Sequence, residues 1–309
     1  MAKRKINRVG TSTLTVSLPS KWADLSGLKA GDEVEVVEEG RNLRILTGGK
    51  SNERRSASFF VKVPEHFMGR MICSPFLKGY DSITIRYDDQ RVYGKILGAM
   101  KNIVGFEIVE QKEGMCRIEE ITKGTEEKFN QLILRLFHVL RSLSNDLKNY
   151  LKNPHTDIES ILDIEYTCDK LSLYCRRVIN KDAVSGKTYD NTGLYHVACL
   201  AEQVGDELGM IADFFKENGH KGYKYDTYFD KMFDAIQKCL DVTMKKIDNY
   251  MNKRDHALQA DLAREQRTLR NLFKSEKKLF FSLKKENLIV YHHLLNTLDL
   301  INHMSEELF

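Results

Sequence analysis

Residues 129–151, FNQLILRLFHVLRSLSNDLKNYL, align without gaps on residues 229–251, FDKMFDAIQKCLDVTMKKIDNYM, one hundred positions further on. Phe129 corresponds to Phe229, Leu136 to Ile236, Leu140 to Leu240, Leu147 to Ile247, and Asn149-Tyr150 to Asn249-Tyr250. The following segment keeps that offset, with Leu162 against Leu262, Glu165 against Glu265 and Ile179 against Leu279. A third segment matches at ninety-six, Tyr195-His196 against Tyr291-His292. Self-similarity at a fixed period decides the architecture before any local propensity does. Each repeat reads as three long helices, so residues 123–222 and 223–309 are expected to form two tandem three-helix bundles packed as one long all-α body.

The first repeat carries charges where a bundle should be apolar. Along 157–180 the seam runs Ile158, Ile161, Glu165, Cys168, Ser172, Cys175 and Ile179, a three-and-four spacing that faces a neighbouring helix. Glu165 stands on that seam and Asp169 one turn further along the same side. The third helix holds a second pair four apart, Glu202 and Asp206, in a row that includes Ala198, Gly205, Gly209 and Ala212. Small residues let helices approach closely, and two facing helices would bring the four carboxylates together. Buried anions must be relieved by protonation or by a cation. Oxygen ligands suit Mg²⁺, Mn²⁺ or Ca²⁺, and helix-borne carboxylates also build iron sites in bundles. The alternative is a solvated acidic face. In the second repeat Leu269 stands at the position of Asp169, Leu298 at that of Glu202 and Asn302 at that of Asp206. Positions that can become leucine are interior ones, so the second copy reads as a lost site.

The front of the chain is different. Residues 1–50 read as four short strands, KINRV, TLTVSLP, EVEVVEE and NLRILT, around one helix, SKWADLSGLK, with Ser20 a natural N-cap. So small a core needs a partner to bury its apolar faces. Lys3, Arg4, Lys5, Arg8 and Lys21 stand in a stretch with no acidic residue, although the net charge of the whole chain is only +4. A basic front on a near-neutral body points to a polyanion. Residues 51–122 read as a small α+β module: a strand in SASFFVKVP, a helix over 65–76, a strand in DSITIRY, a helix in RVYGKILGAMKNIV, then a hairpin turning across 112–114.

With 309 residues, 42% hydrophobic and 30% charged, the composition is that of an ordinary globular protein. The sequence offers no apolar run long enough to span a membrane and no signal peptide. Six scattered cysteines without a CxxC pair fit a reducing cytoplasm. TGGKS at 47–51 is not a phosphate loop, because the first glycine of that motif falls on Arg44. No nucleophilic constellation is evident, and no enzyme is expected.

Two resemblances follow from these residues. The tandem repeat, with Glu165 and Asp169 as ExxxD and Glu202-Gln203-Val204-Gly205-Asp206 beside it, resembles PhoU, the family of phosphate-uptake regulators, over residues 125–309. That resemblance implies a metal site on Glu165, Asp169, Glu202 and Asp206, taking iron, zinc, magnesium or manganese, and contact with the ATPase subunit of a phosphate ABC transporter. The front end, RKINRVGTSTLTVSLPSKWADLSGLKAGDEVEVV, resembles the SpoVT/AbrB swapped-hairpin domain. It implies an intertwined homodimer whose Lys3, Arg4, Lys5, Arg8 and Lys21 bind promoter DNA. Thr11-Ser12-Thr13 stand where an arginine is usual. The fold expected is therefore multidomain: a β-rich AbrB-like head, an α+β module and a PhoU-like helical body. The function expected is a cytoplasmic, metal-binding, DNA-binding regulator of phosphate uptake, with phosphate as a further ligand. The alternatives are a signalling adaptor that does not bind DNA and a metal-storage bundle.

Overall fold

Gly10, at φ +69°, reverses the chain between β1 (Ile6–Val9) and β2 (Thr13–Val16), a conformation that a side chain would strain. The two strands pair antiparallel, Ile6 opposite Val16. A short helix α1 (Ser20–Leu25) follows, and then the second ribbon, β3 (Val34–Glu39) paired with β4 (Asn42–Thr47). Ser20 is the first helical residue rather than the cap; Pro19 holds the cap position and no side chain bonds there. The two ribbons form separate two-stranded sheets. Neither β1 nor β2 buries a residue, and Ile6, Leu14, Val16, Val36 and Leu43 are each at least half exposed.

The computed structural model describes the chain except for residues 1–2, 40–41, 48–53, 64–66, 122–128, 155–156, 185–191, 254, 275–284 and 309. Within it the middle module is a four-stranded sheet in the order β5 (Ser56–Val61), β6 (Ser82–Tyr87), β8 (Met115–Glu120), β7 (Phe106–Lys112). The first two strands are parallel and joined by α2 (Met68–Leu77), and α3 (Arg91–Met100) leads to the antiparallel β7–β8 hairpin. That hairpin turns at Gly114, φ +70°, where a Cβ would also meet the Tyr87 carbonyl oxygen at 2.9 Å. Ile72 and Phe76 of α2 and Ile96 of α3 pack on Ile83, Ile85, Cys116 and Ile118 of the sheet. The helix expected over 65–76 begins at Met68; positions 65 and 66 lie outside the described residues.

Among the described residues, six long helices build the C-terminal body: α4 (Phe129–Lys152), α5 (Ile158–Val184), α6 (Thr192–Asn218), α7 (Tyr228–Asp248), α8 (His256–Lys274) and α9 (Lys285–Glu306). One apolar core runs through it, including Leu136 and Leu140 of α4, Cys168 and Cys175 of α5, Leu208 of α6, Leu240 of α7 and Leu294 of α9. Helix α6 lies between α5 and α9, while α4 and α7 pack against each other beneath them. None of the described helices is long and apolar enough to cross a membrane.

Burial differs between the two copies: Leu298 and Asn302 are buried, whereas Glu202 and Asp206, with which they align, are partly buried and exposed respectively. Helix α8 departs from the sequence offset: Glu265, paired with Glu165 in the alignment, is exposed, whereas Gln266 is fully buried. Its amide donates to the Ile301 carbonyl oxygen at 2.6 Å. A π turn at Asn249–Lys253 ends α7, where α4 ends as regular helix, so the two connections feed their next helices differently.

The module and the body meet on α5. Arg177, 1% exposed, donates to the carbonyl oxygens of Phe76 (2.7 Å) and Tyr80 (2.9 Å), and its guanidinium lies over the rings of Phe76 and Phe106. Asn180 donates to the Leu77 carbonyl oxygen, and Lys181 reaches Asp81 and Glu120.

Candidate metal centre

The close approach of α5 and α6 begins with small residues. Ala198, Ala201, Gly205, Gly209 and Ala212 are all buried on α6. A Cβ at Gly205 would stand 3.3 Å from Cys168 Cβ, and Ser172 donates its hydroxyl to the Ala198 carbonyl oxygen at 2.8 Å. With the backbones this near, Glu165 and Asp169 of α5 meet Asp206 of α6. One carboxylate oxygen from each lies within 4.8 Å of the other two.

Proximity and burial together perturb these acids. Burial, then the charges of Asp206, Asp213 and Glu202, pushes the Glu165 carboxyl up to about 7. Burial, then Glu165, Asp206 and Glu202, pushes Asp169 up to about 8, with Arg176 opposing. Asp206 is raised by burial and by Glu207. Asp169 Oδ1 is buried without a hydrogen-bond partner. A buried acceptor left orphaned among converging acids is relieved by a proton or by a cation. Among the described residues the set offers carboxylate oxygens and no imidazole. The Cys168 thiol beside it is held neutral by burial, well above the usual thiol range. Such a set could hold a divalent ion, and it suits Mg²⁺ or Mn²⁺ better than Zn²⁺.

Glu202 is not part of this trio. Its Oε2 accepts from Arg176 Nη2 at 2.6 Å, and Arg176 Nη1 lies 3.7 Å from Cys199 Sγ. Arg176 therefore acts as a fixed counter-ion for the fourth acid. It stands seven residues beyond Asp169, two turns along the same side of α5, which is the signal that could have placed it near the site from sequence. Gly209 is the other residue the spacing did not single out as essential: a Cβ there would collide with Glu165 Cγ at 2.9 Å. On its far side α6 borders a groove of about 340 Å³ shared with α9, lined by Asp206, Glu207, Met210, Asp299 and His303 among others. Asp206 thus has an open approach from solvent. Glu207 accepts from His293 of α9 at 2.7 Å.

The basic residues of the head are placed less tightly. Lys3, Arg4 and Lys5 lead into β1, Arg8 lies on it and Lys21 is the second residue of α1; all five are exposed. Arg8 donates to the Thr11 carbonyl oxygen at 3.2 Å across the β1–β2 turn.

Residues 8–53 match the family described as antidote-toxin recognition MazE, bacterial antitoxin. The N-terminal segment is thus a MazE/AbrB-like domain, followed by a β/α module and a helical body. No curated protein and no solved structure matches the chain.

Proposed function

We propose that the chain is a dimeric, DNA-binding regulator of phosphate uptake whose helical body binds a divalent metal ion. The observation that carries the regulator reading is the head: a MazE/AbrB-like domain whose first strand and the residues leading into it are basic, acid-free and exposed. The apolar residues that β1 to β4 leave in solvent, from Ile6 to Leu43, support a second copy as their cover. Two heads held together on neighbouring half-sites would gain affinity through effective concentration. The phosphate assignment rests on the likeness of residues 125–309 to PhoU and on the trio at Glu165, Asp169 and Asp206. The ATPase subunit of a phosphate transporter, in the cytoplasm, is the partner that likeness brings. The body's metal, when bound, would supply a fixed positive charge joining α5 to α6.

The test is binding of the full-length protein to promoter-length DNA across a salt series. Reversing Lys3, Arg4, Lys5 and Arg8 should weaken binding and flatten the logarithmic salt slope by about 0.9 for each phosphate that is no longer neutralised. Unchanged affinity and slope would reject DNA binding. The second reading, an adaptor whose head only dimerises, is favoured by Thr11-Ser12-Thr13 at the position where a groove-reading arginine is usual.

A further inference from the structure

The second repeat carries a cavity where the first carries its acids. Helices α8 and α9 flank a half-open space of about 220 Å³ over Ala260 and Ala263. Arg264 and Arg267 of α8 and Asn302, Ser305 and Glu306 of α9 line the rest. By the offset of ninety-six, Asn302 corresponds to Asp206 and Ser305 to Gly209. The helix pairs α5–α6 and α8–α9 are thus equivalent in the repeat and opposite in character. In the first, Glu165 fills the space over Gly209 with a carboxylate. In the second, two alanines leave space and two guanidiniums flank it.

The polar groups around this space form a graded set. Asn302 and Ser305 are buried, 4% and 3% exposed. The fully buried ammonium of Lys246 donates to both the carbonyl oxygen and the hydroxyl oxygen of Ser305. A hydroxyl that accepts from Lys246 keeps its own hydrogen free to donate. Arg264 is engaged with Asp261, while Arg267 has no ion pair among the described residues. Against these donors stands a single carboxylate, Glu306, which accepts from Asn302 at 3.3 Å.

We infer that this cavity binds inorganic phosphate. Guanidinium forks match the edges of a tetrahedral oxyanion, and Arg267 is free to supply one. Ser305 adds a short-range donor, with the Lys246 amine directly behind it, whose pKa burial pulls down to about 8 so that it is still mostly charged at neutral pH. Glu306 sets the selectivity. A carboxylate can only accept, so it repels an oxyanion without hydrogen and accepts a hydrogen bond from one bearing a P–OH. Inorganic phosphate keeps at least one P–OH throughout the neutral range. Sulfate has none, and a phosphomonoester, with a second pKa of about 6, has mostly lost its own by about pH 7.5. The site therefore takes inorganic phosphate in preference to both.

This inference goes beyond the regulator reading and can fail without it, since none of its residues belongs to the trio or to the head. The test is calorimetric titration of the full-length protein with sodium phosphate, sodium sulfate and phosphoserine at matched ionic strength and about pH 7.5. It is repeated in Asp169→Asn, which removes an acid of the candidate ion site. Phosphate should bind wild type and Asp169→Asn alike, and Arg267→Gln, an exposed substitution, should weaken it at least about tenfold. Glu306→Gln should bring sulfate to within a few-fold of phosphate. Absence of phosphate binding at about 10 mM, or full retention in Arg267→Gln, overturns the site. Loss in Asp169→Asn assigns the phosphate to the acid site between α5 and α6 and overturns it equally. Equal affinity of wild type for sulfate or phosphoserine overturns the role of Glu306.

Discussion

Gly209 of α6 lies directly against the side chain of Glu165 on α5: a Cβ built on the glycine would stand 2.9 Å from Glu165 Cγ. The space is therefore reserved for the acid, and an alanine there must displace it. Glycine inside a helix is itself unfavourable by roughly 0.5–1 kcal/mol relative to alanine. The two effects separate by experiment. Gly209→Ala should leave the melting temperature unchanged or raise it, while weakening Mn²⁺ or Mg²⁺ binding by about tenfold. Equal ion affinity in the two proteins would show that Glu165 need not occupy this place.

The raised carboxyls of Glu165 and Asp169 fix a pH dependence. Both hold protons more tightly in the folded chain than in the unfolded one, where carboxylates titrate near about pH 4. Folding without metal thus takes up protons between that value and the folded values of about 7 and about 8. Stability falls as pH rises through this window. A divalent ion needs the deprotonated acids, so its binding should release protons and strengthen up to about pH 8. Calorimetry at about pH 6.5 in two buffers of different ionisation enthalpy should count roughly one to two protons released per ion. No difference between the buffers would contradict the burial of these acids.

Arg176 gives Glu202 a partner that the trio lacks, at 2.6 Å. Removing Asp169 and removing Glu202 should therefore differ. Asp169→Asn is expected to weaken ion binding by at least about tenfold, and Glu202→Gln by no more than a few-fold. If both abolish binding, the ion draws Glu202 away from Arg176, and the ligand set expected from the sequence is restored.

The contrast between these acids marks where the sequence ceased to be legible. Period and spacing were enough to place six long helices and to set Glu165 and Asp169 on one side of α5. The hairpin through Gly114 and the short strands of the head were legible for the same reason, since turn residues and alternation are local. Rotation of α8 was not. Counting by one hundred pairs Glu265 with Glu165, but the side that α8 buries runs through Leu262 and Gln266. Helix orientation is set by how a connection delivers the chain, and the π turn after α7 has no counterpart after α4. Pairing of Glu202 with Arg176 was hidden because the two sit on different helices, and a charge pattern within one helix does not reveal it.

Arg177 gives the middle module a mechanical role that its sequence did not show. The guanidinium is 1% exposed, donates to two carbonyl oxygens of the module and lies 3.1 Å from Glu120 and 3.6 Å from Asp81. Burying these charges is tolerable only while they face one another, because the loss of one partner leaves an uncompensated buried charge. Arg177→Met keeps the length and apolar stem but strands Glu120 and Asp81 with Lys181 alone. The expected cost is about 3–5 kcal/mol in chemical denaturation, with the module melting before the helical body. Asp169 sits two turns up the same helix, so the variant also tests whether the module holds the acids in register. A loss of ion affinity beside intact body helicity would show that it does; a variant as stable as wild type, with unchanged ion binding, would reduce the Arg177 interactions to surface packing.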